Sequence, residues 1–319
     1  VGSPKLGHTP SRAEDETLER IRQALGGGIE AFGLRDDAGH LEVPQSGSLV
    51  VSVDSVVEGV HVDLAWCSPN DVGWKALMGA LSDLAAMGAR PLGALIALCV
   101  PEGAGDGAMA VQVMEGVRAA GEAAGCPIIG GDLSSSGELM VSVTVMGDAE
   151  GAAVRRSGAR AGDDVLVTGP CGGSAAGLRV LRSGVEDAAG GALGLAHRRP
   201  VALIAEGMAA RQAGASAMID ISDGLALDLH RMADASGVGF ELDEIPVAEG
   251  ATLEEALGGG EDYELLITMD PIRVKGFMQA CLHSRVHPPI RLGRVTKNAT
   301  IRTLGGAELA RSGWQHHIG

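Results

Sequence analysis

Three times along this chain a short apolar run leads into an aspartate: 49–53 before Asp54, 126–129 before Gly130-Gly131-Asp132, and 217–219 before Asp220. Runs of this length, rich in Val and Ile, read as buried strands. Further strands are expected at 91–100, 139–146, 165–168 and 265–268, with helices at 71–89, 109–124, 175–181, 200–213 and from Ser222 or Asp223 as N-cap to 235. Helices and strands alternate, but some strands adjoin across turns, which predicts an α/β or mixed α+β fold. Strand ends are where such folds assemble ligand sites, so an aspartate at each of these points concerns function as well as folding.

The 71–89 stretch carries a further carboxylate. Ala76, Ala80, Asp83 and Met87 recur at three- and four-residue steps, which puts Asp83 on a stripe of small and apolar side chains. An ionised carboxylate there is costly unless something positive meets it, and no Lys or Arg lies one turn to either side. Alone, Asp83 reads as a buried cap for a distant backbone segment. Together with Asp36-Asp37, Asp54, Asp132, Asp220 and Asp223 it becomes one of six separate carboxylate positions. Packed without cations, these groups would repel one another and raise each other's pKa. Magnesium relieves that repulsion, since it takes oxygen ligands and usually brings bound phosphates with it. The set therefore points to a metal–nucleotide site.

Composition narrows the alternatives. The 319 residues suffice for two domains, expected as a leader and short helix over 1–27, an N-terminal domain over 28–150 and a C-terminal domain over 151–319. Only 2% of residues are aromatic and 49 are Gly, which suits close backbone packing. A formal charge of −16 argues against nucleic acid or an anionic membrane as the main partner. The five Cys show no metal or disulfide spacing, and no apolar run reaches the ~18 residues of a spanning helix. A cytoplasmic protein with reduced thiols is expected.

Familiar phosphate-binding signatures are absent: there is no G-x-x-x-x-G-K-[ST], no G-x-G-x-x-G, and no kinase H-R-D or D-F-G set. The turn Gly169-Pro170-Cys171-Gly172-Gly173-Ser174 could offer backbone N–H groups to a phosphate, or could simply need positive φ. His61 is a candidate substrate contact or a satisfied surface histidine. Trp314 offers a face to a heteroaromatic ligand or to core packing.

Several longer motifs occur in order: Asp36-Asp37-Ala38, Ser52-Val53-Asp54, Glu58-Gly59-Val60-His61, "LSDLAAMGARP", "IIGGDLS", "RRSGARAGDDVLVTGPCGGSAAGL", "IDISDGLALDL" and "GGEDYELL". In these the chain resembles the thiamine-monophosphate kinases, within the aminoimidazole-ribonucleotide-synthetase-like superfamily of ATP-binding enzymes. The resemblance implies two α/β domains, with strands of the N-terminal one pairing across a homodimer and the C-terminal one covering the ATP cleft. It implies magnesium ligands at Asp37, Ser52, Asp54, Asp83, Asp132, Asp220 and Asp223, and ATP contacts at Gly131, Asp132, Arg156 and Ser222. Thiamine monophosphate would be held by His61, Glu261 and Trp314. The implied reaction is direct, in-line, magnesium-assisted transfer of the γ-phosphoryl group of ATP, giving thiamine diphosphate, with no covalent intermediate and no side-chain base. The chain departs from the family pattern at Arg35, Val53 and Ala80, and none of these removes a carboxylate.

Overall fold

The computed structural model describes residues 17, 19–21, 23–24, 47–103, 107–184, 188–283 and 286–315. The chain divides into two compact units, one of Val1–Leu41, Asp54–Leu77 and Gly93–Val143, the other of Glu42–Val53, Met78–Leu92 and Thr144–Gly319.

Four strands, β1 (Leu49–Val57), β2 (Arg90–Pro101), β3 (Ile128–Ser136) and β4 (Met140–Asp148), form a sheet in the order β1-β4-β2-β3. β2 and β3 run parallel, with Ile96 opposite Gly131 and Ala97 opposite Asp132. The Ala108–Ala124 helix makes the crossover that a parallel pair requires. Two strands run past the aspartates expected to end them, to Val57 and Ser136, so Asp54 and Asp132 lie inside β1 and β3. Ladder pairing uses the backbone, and a polar side chain on an open face does not interrupt it.

The first unit holds a close helix crossing. A Cβ on Gly73, in the Pro69–Ala86 helix, would sit 1.9 Å from the Val113 carbonyl oxygen, and one on Gly116 of the Ala108–Ala124 helix 1.9 Å from that of Asn70. Backbone meets backbone there, a spacing only glycine allows. The Pro69–Ala86 helix stops short of the expected residue 89. Gly88 turns the chain at φ 66°, and the Gly88 and Ala89 N–H groups close back onto the carbonyls of Ala85 and Leu84.

Among the described residues, the second unit contains a seven-stranded sheet in the order β11-β10-β7-β9-β5-β8-β6. Its strands are β5 (Asp164–Val167), β6 (Ala217–Asp220), β7 (Gly239–Leu242), β8 (Leu265–Met269), β9 (Ile290–Thr296), β10 (Arg302–Leu304) and β11 (Ala307–Glu308). Alternate residues of β5 enter two cores. Val165 and Val167 pack with Ile219, Leu229 and Phe240, while Leu166 packs with Met218, Ile267 and Phe277. Covering on both faces explains why these strands read as unbroken apolar runs.

Helix positions differ from expectation at several places. The run 200–213 is helical only over Ile204–Ala213, and Ala188–Arg198 and Pro271–His283 form two helices beyond those expected. The first of these, AAGGALGLAHR, is too small and glycine-rich to display a clear apolar stripe. The Leu253–Gly258 helix begins with a capping box between Thr252 and Glu255. At the Leu225–Ser236 helix the N-cap is Gly224, not Ser222 or Asp223, and no side chain caps it. Gly224 has φ 121°, and a Cβ there would lie 3.0 Å from the Gly258 backbone.

Candidate active site

The end of the Pro69–Ala86 helix places two neighbouring side chains in two different hydrogen bonds. Asp83 Oδ2 accepts from Ser52 Oγ of β1 at 2.5 Å, and Ser82 Oγ donates to Asp220 Oδ2 at the end of β6 at 2.7 Å. Asp220 is buried, and its pKa rises to about 7, chiefly through burial and then through the negative charge of Asp83, against the Ser82 bond. Asp83 itself is only half-buried. Two coupled carboxylates with a serine hydroxyl on each form a hard oxygen donor set with more negative charge than its burial favours, which fits magnesium. Among the described residues, no three His, Cys, Asp or Glu side chains are already grouped to hold a metal ion. The structure thus joins Ser52, Asp83 and Asp220 out of the expected set, and adds Ser82, which its small size and unremarkable spacing had concealed.

The loop leaving β6 meets two other segments. Glu261 N–H donates to the Ser222 carbonyl at 2.8 Å, Tyr263 N–H to the Ile221 carbonyl at 3.0 Å, and Trp314 N–H to the Asp223 carbonyl at 2.9 Å. Glu261 and Tyr263 hold φ of 67° and 53°, the left-handed region that non-glycine residues rarely enter. Backbone strain at two residues of one loop is kept only where the surroundings over-determine it. Ser222, Asp223, Glu261 and Trp314, distant in sequence, are therefore neighbours. The Asp223 carboxylate is paired with the Arg231 guanidinium, which Asp228 also holds.

Beside this loop lies a cavity of about 600 Å³ lined by Pro170, Ser174, Leu193, Ala248, Asp262 and Glu264, among others. Asp262 accepts the N–H groups of Gly172 (2.6 Å) and Ser174 (3.0 Å). The glycine turn at 169–174 therefore spends these donors on a carboxylate of the same chain. Burial pushes Asp262 up to about 6. Glu264, bonded to Thr168 Oγ1 at 2.5 Å, rises to about 7 through burial and then the Asp262 charge. His197 is buried, with Nδ1 3.0 Å from Ser174 Oγ and 3.6 Å from Glu261 Oε2. Asp262 and Glu264 stand in the quoted "GGEDYELL" run, but only the alternation of a strained loop reveals that they face a cavity.

Asp54, His61, Gly131 and Asp132 belong to the other unit. Asp54 accepts the Ser55 N–H at 2.7 Å and lies two residues from Ser52 on the same, half-buried side of β1. His61 Nδ1 accepts the Val57 N–H at 3.1 Å, so the neutral ring carries its proton on Nε2. Gly131 is obligatory, because a Cβ would lie 2.0 Å from the Ile96 carbonyl oxygen. Asp132 is exposed. In the second unit Arg156 is exposed, with its carbonyl held by Ser236 Oγ at 3.0 Å. Asp37, with its neighbour Asp36, lies outside the described residues.

Residues 35–149 match the family model "AIR synthase related protein, N-terminal domain", and residues 160–304 match its C-terminal counterpart. Fold and sequence together define a two-part AIR-synthase-related chain. It is 35% identical over 262 residues to a thiamine-monophosphate kinase of Rhodopirellula baltica, covering 76% of this chain and 77% of the relative. The crystal structure of thiamine-monophosphate kinase from Stenotrophomonas maltophilia superposes with a TM-score of 0.81 at 32% identity, over 92% of this chain and 97% of that one. AaThiL complexed with AMPPCP and TMP gives 0.76 at 30% identity, over 98% and 100%. The chain belongs to the thiamine-monophosphate kinase family.

Proposed function

We propose that this chain transfers the γ-phosphoryl group of ATP directly and in line to thiamine monophosphate, giving thiamine diphosphate and ADP. What carries the reading is the meeting of the 221–223 loop with Glu261 and Trp314, next to the coupled pair Asp83 and Asp220, in a family whose members bear that name. Both reactants are anions, so catalysis needs charge neutralisation and alignment more than a base. Magnesium, when bound, supplies that neutralisation; Asp37, Ser52, Asp54, Asp83, Asp132, Asp220 and Asp223 are the residues proposed to hold it. Gly131, Asp132, Arg156 and Ser222 are assigned to ATP, and Arg156 adds fixed positive charge. His61, Glu261 and Trp314 are assigned to thiamine monophosphate, with the indole against a thiamine ring.

The active form is proposed to be a cytoplasmic homodimer. Leu49, Val51 and Val53 of β1 are exposed at 45%, 57% and 63%, an apolar edge-strand face that a second copy would cover. No described helix is long and apolar enough to cross a membrane. The test is ADP release with magnesium and ATP, offering thiamine monophosphate, thiamine and formylglycinamidine ribonucleotide in separate assays. Turnover is expected with thiamine monophosphate alone. Turnover with another acceptor and none with thiamine monophosphate overturns the assignment.

A further inference from the structure

The chain beyond β11 is tied back to the Leu225–Ser236 helix through a buried histidine outside the site described above. His230 Nε2 lies 3.0 Å from the Leu309 carbonyl oxygen, and its Nδ1 lies 2.8 Å from Arg302 Nη1. A guanidinium can only donate, so Nδ1 is the acceptor and Nε2 carries the proton given to Leu309. Asp234, one turn along the helix, takes Arg302 Nη2 at 2.5 Å and Arg311 Nη1 at 2.8 Å. The Leu309 N–H returns to the Arg302 carbonyl at 2.8 Å. Further along, a Cβ on Gly313 would sit 2.6 Å from Leu227 Cβ and 2.7 Å from the Asp223 carbonyl oxygen, so the arm presses on the helix start without a gap. The next residue is Trp314, bonded through its N–H to Asp223. The arm 309–314 is thus fastened at one end by His230 and Asp234 and at the other by the 222–223 loop.

We propose that His230 is a positioning residue for the substrate: neutral and protonated on Nε2, it fastens the arm that presents Trp314, and a second proton at Nδ1 releases it and weakens binding of thiamine monophosphate. The inference rests on the reading of Trp314 as a substrate contact. Arg302, Arg311 and Asp234 are the charged groups facing the ring, and Asp234 is already committed to both arginines. A second proton deletes the acceptor that Arg302 uses and places a positive charge against it. Burial first, then the two arginines, hold the imidazole below its ordinary range, opposed by the Leu309 bond and Asp234. Because the folded value is lowered, the fastening is complete above the ordinary His value of 6.5 and is lost as pH falls through the lower one.

The test compares wild type with His230→Leu, His230→Gln and Trp314→Ala in the full chain, from about pH 8 down to the lowest pH at which circular dichroism shows the chains folded. Expected for His230→Leu at the upper pH is a KM for thiamine monophosphate raised about tenfold, with kcat and KM for ATP within about twofold. Glutamine can donate to Leu309 and accept from Arg302, so His230→Gln should recover most of the KM at the upper pH. The substrate phosphate titrates in the same range, so His230→Leu supplies the baseline, and the ratio of variant to wild-type KM should shrink towards one as pH falls. His230→Leu on top of Trp314→Ala should add nothing. A ratio independent of pH, or additive effects of the two substitutions, overturns the proposal. Tryptic cleavage after Arg311 separates the two readings. If Trp314→Ala leaves KM unchanged, the substrate role of Trp314 fails, while faster cleavage of His230→Leu still supports the fastening and unchanged cleavage overturns it.

Discussion

At the scale of single residues, the decisive group is Asp83, whose meaning depends on its neighbours. Asp83→Asn keeps an acceptor for Ser52 but removes the negative charge that, after burial, helps to raise Asp220. Turnover should fall by about 100-fold or more with the melting temperature nearly unchanged. Near-normal turnover would return Asp83 to a structural role. Glu264 provides a second test through stability. Its folded pKa is raised from 4.5 to about 7, so between these values the folded chain binds more protons than the unfolded one and stability falls as pH rises. Glu264→Gln imitates the protonated form, and at pH 8 it should melt about 2–5 °C above wild type, with the difference gone near pH 4, as thermal scans would show. An equal shift at both pH values would remove the titration argument. Asp83 and Asp220 were legible as candidate site residues because costly carboxylates recurred at chain exits. Ser82, Asp262 and Glu264 were not, because their roles come from what faces them across the fold.

At the scale of elements, the glycines at the helix crossing carry most of the specificity. Gly116→Ala would drive a methyl to 1.9 Å from the Asn70 carbonyl oxygen, and backbone on both sides leaves no rotamer to relax. A loss of about 3 kcal/mol or more is expected in denaturant unfolding. A shift under about 0.5 kcal/mol would mean the helices part easily. Thr252→Ala should cost about 1 kcal/mol, the ordinary value of a lost N-cap. Strands covered on both faces were easy to read as apolar runs, whereas Ala188–Arg198 and Pro271–His283 were missed. In the first, glycine and alanine blur the helical period; in the second, Ile272 and Leu282 are exposed, so apolar residues do not mark one face.

At the scale of the whole molecule, the acidic surface and the exposed face of β1 make opposite demands on association. A net charge of −16 discourages non-specific contact, and the exposed valines at 51 and 53 are the apolar face assigned to the proposed dimer contact. Val51→Lys combined with Val53→Lys should convert a dimer to monomer in sedimentation analysis, while the melting of the second unit persists. A monomeric wild type would dispose of the dimer altogether. Within the chain, the residues that approach one another in the second unit come from positions 52, 82–83, 220–223, 261–264 and 314, so no local pattern could have grouped them.

The sequence by itself determined the alternation of helices and strands, the family and the carboxylate-rich set from which the site is proposed, because periodicity, residue type and ordered motifs are local properties. Only the tertiary structure decided that Ser52 and Ser82 bond Asp83 and Asp220, that Asp262 takes the N–H groups of the glycine turn, and that a buried histidine ties down the arm carrying Trp314. Those are contacts between residues up to 138 positions apart (Ser82 to Asp220), set by how buried strands and glycine-tight crossings pack.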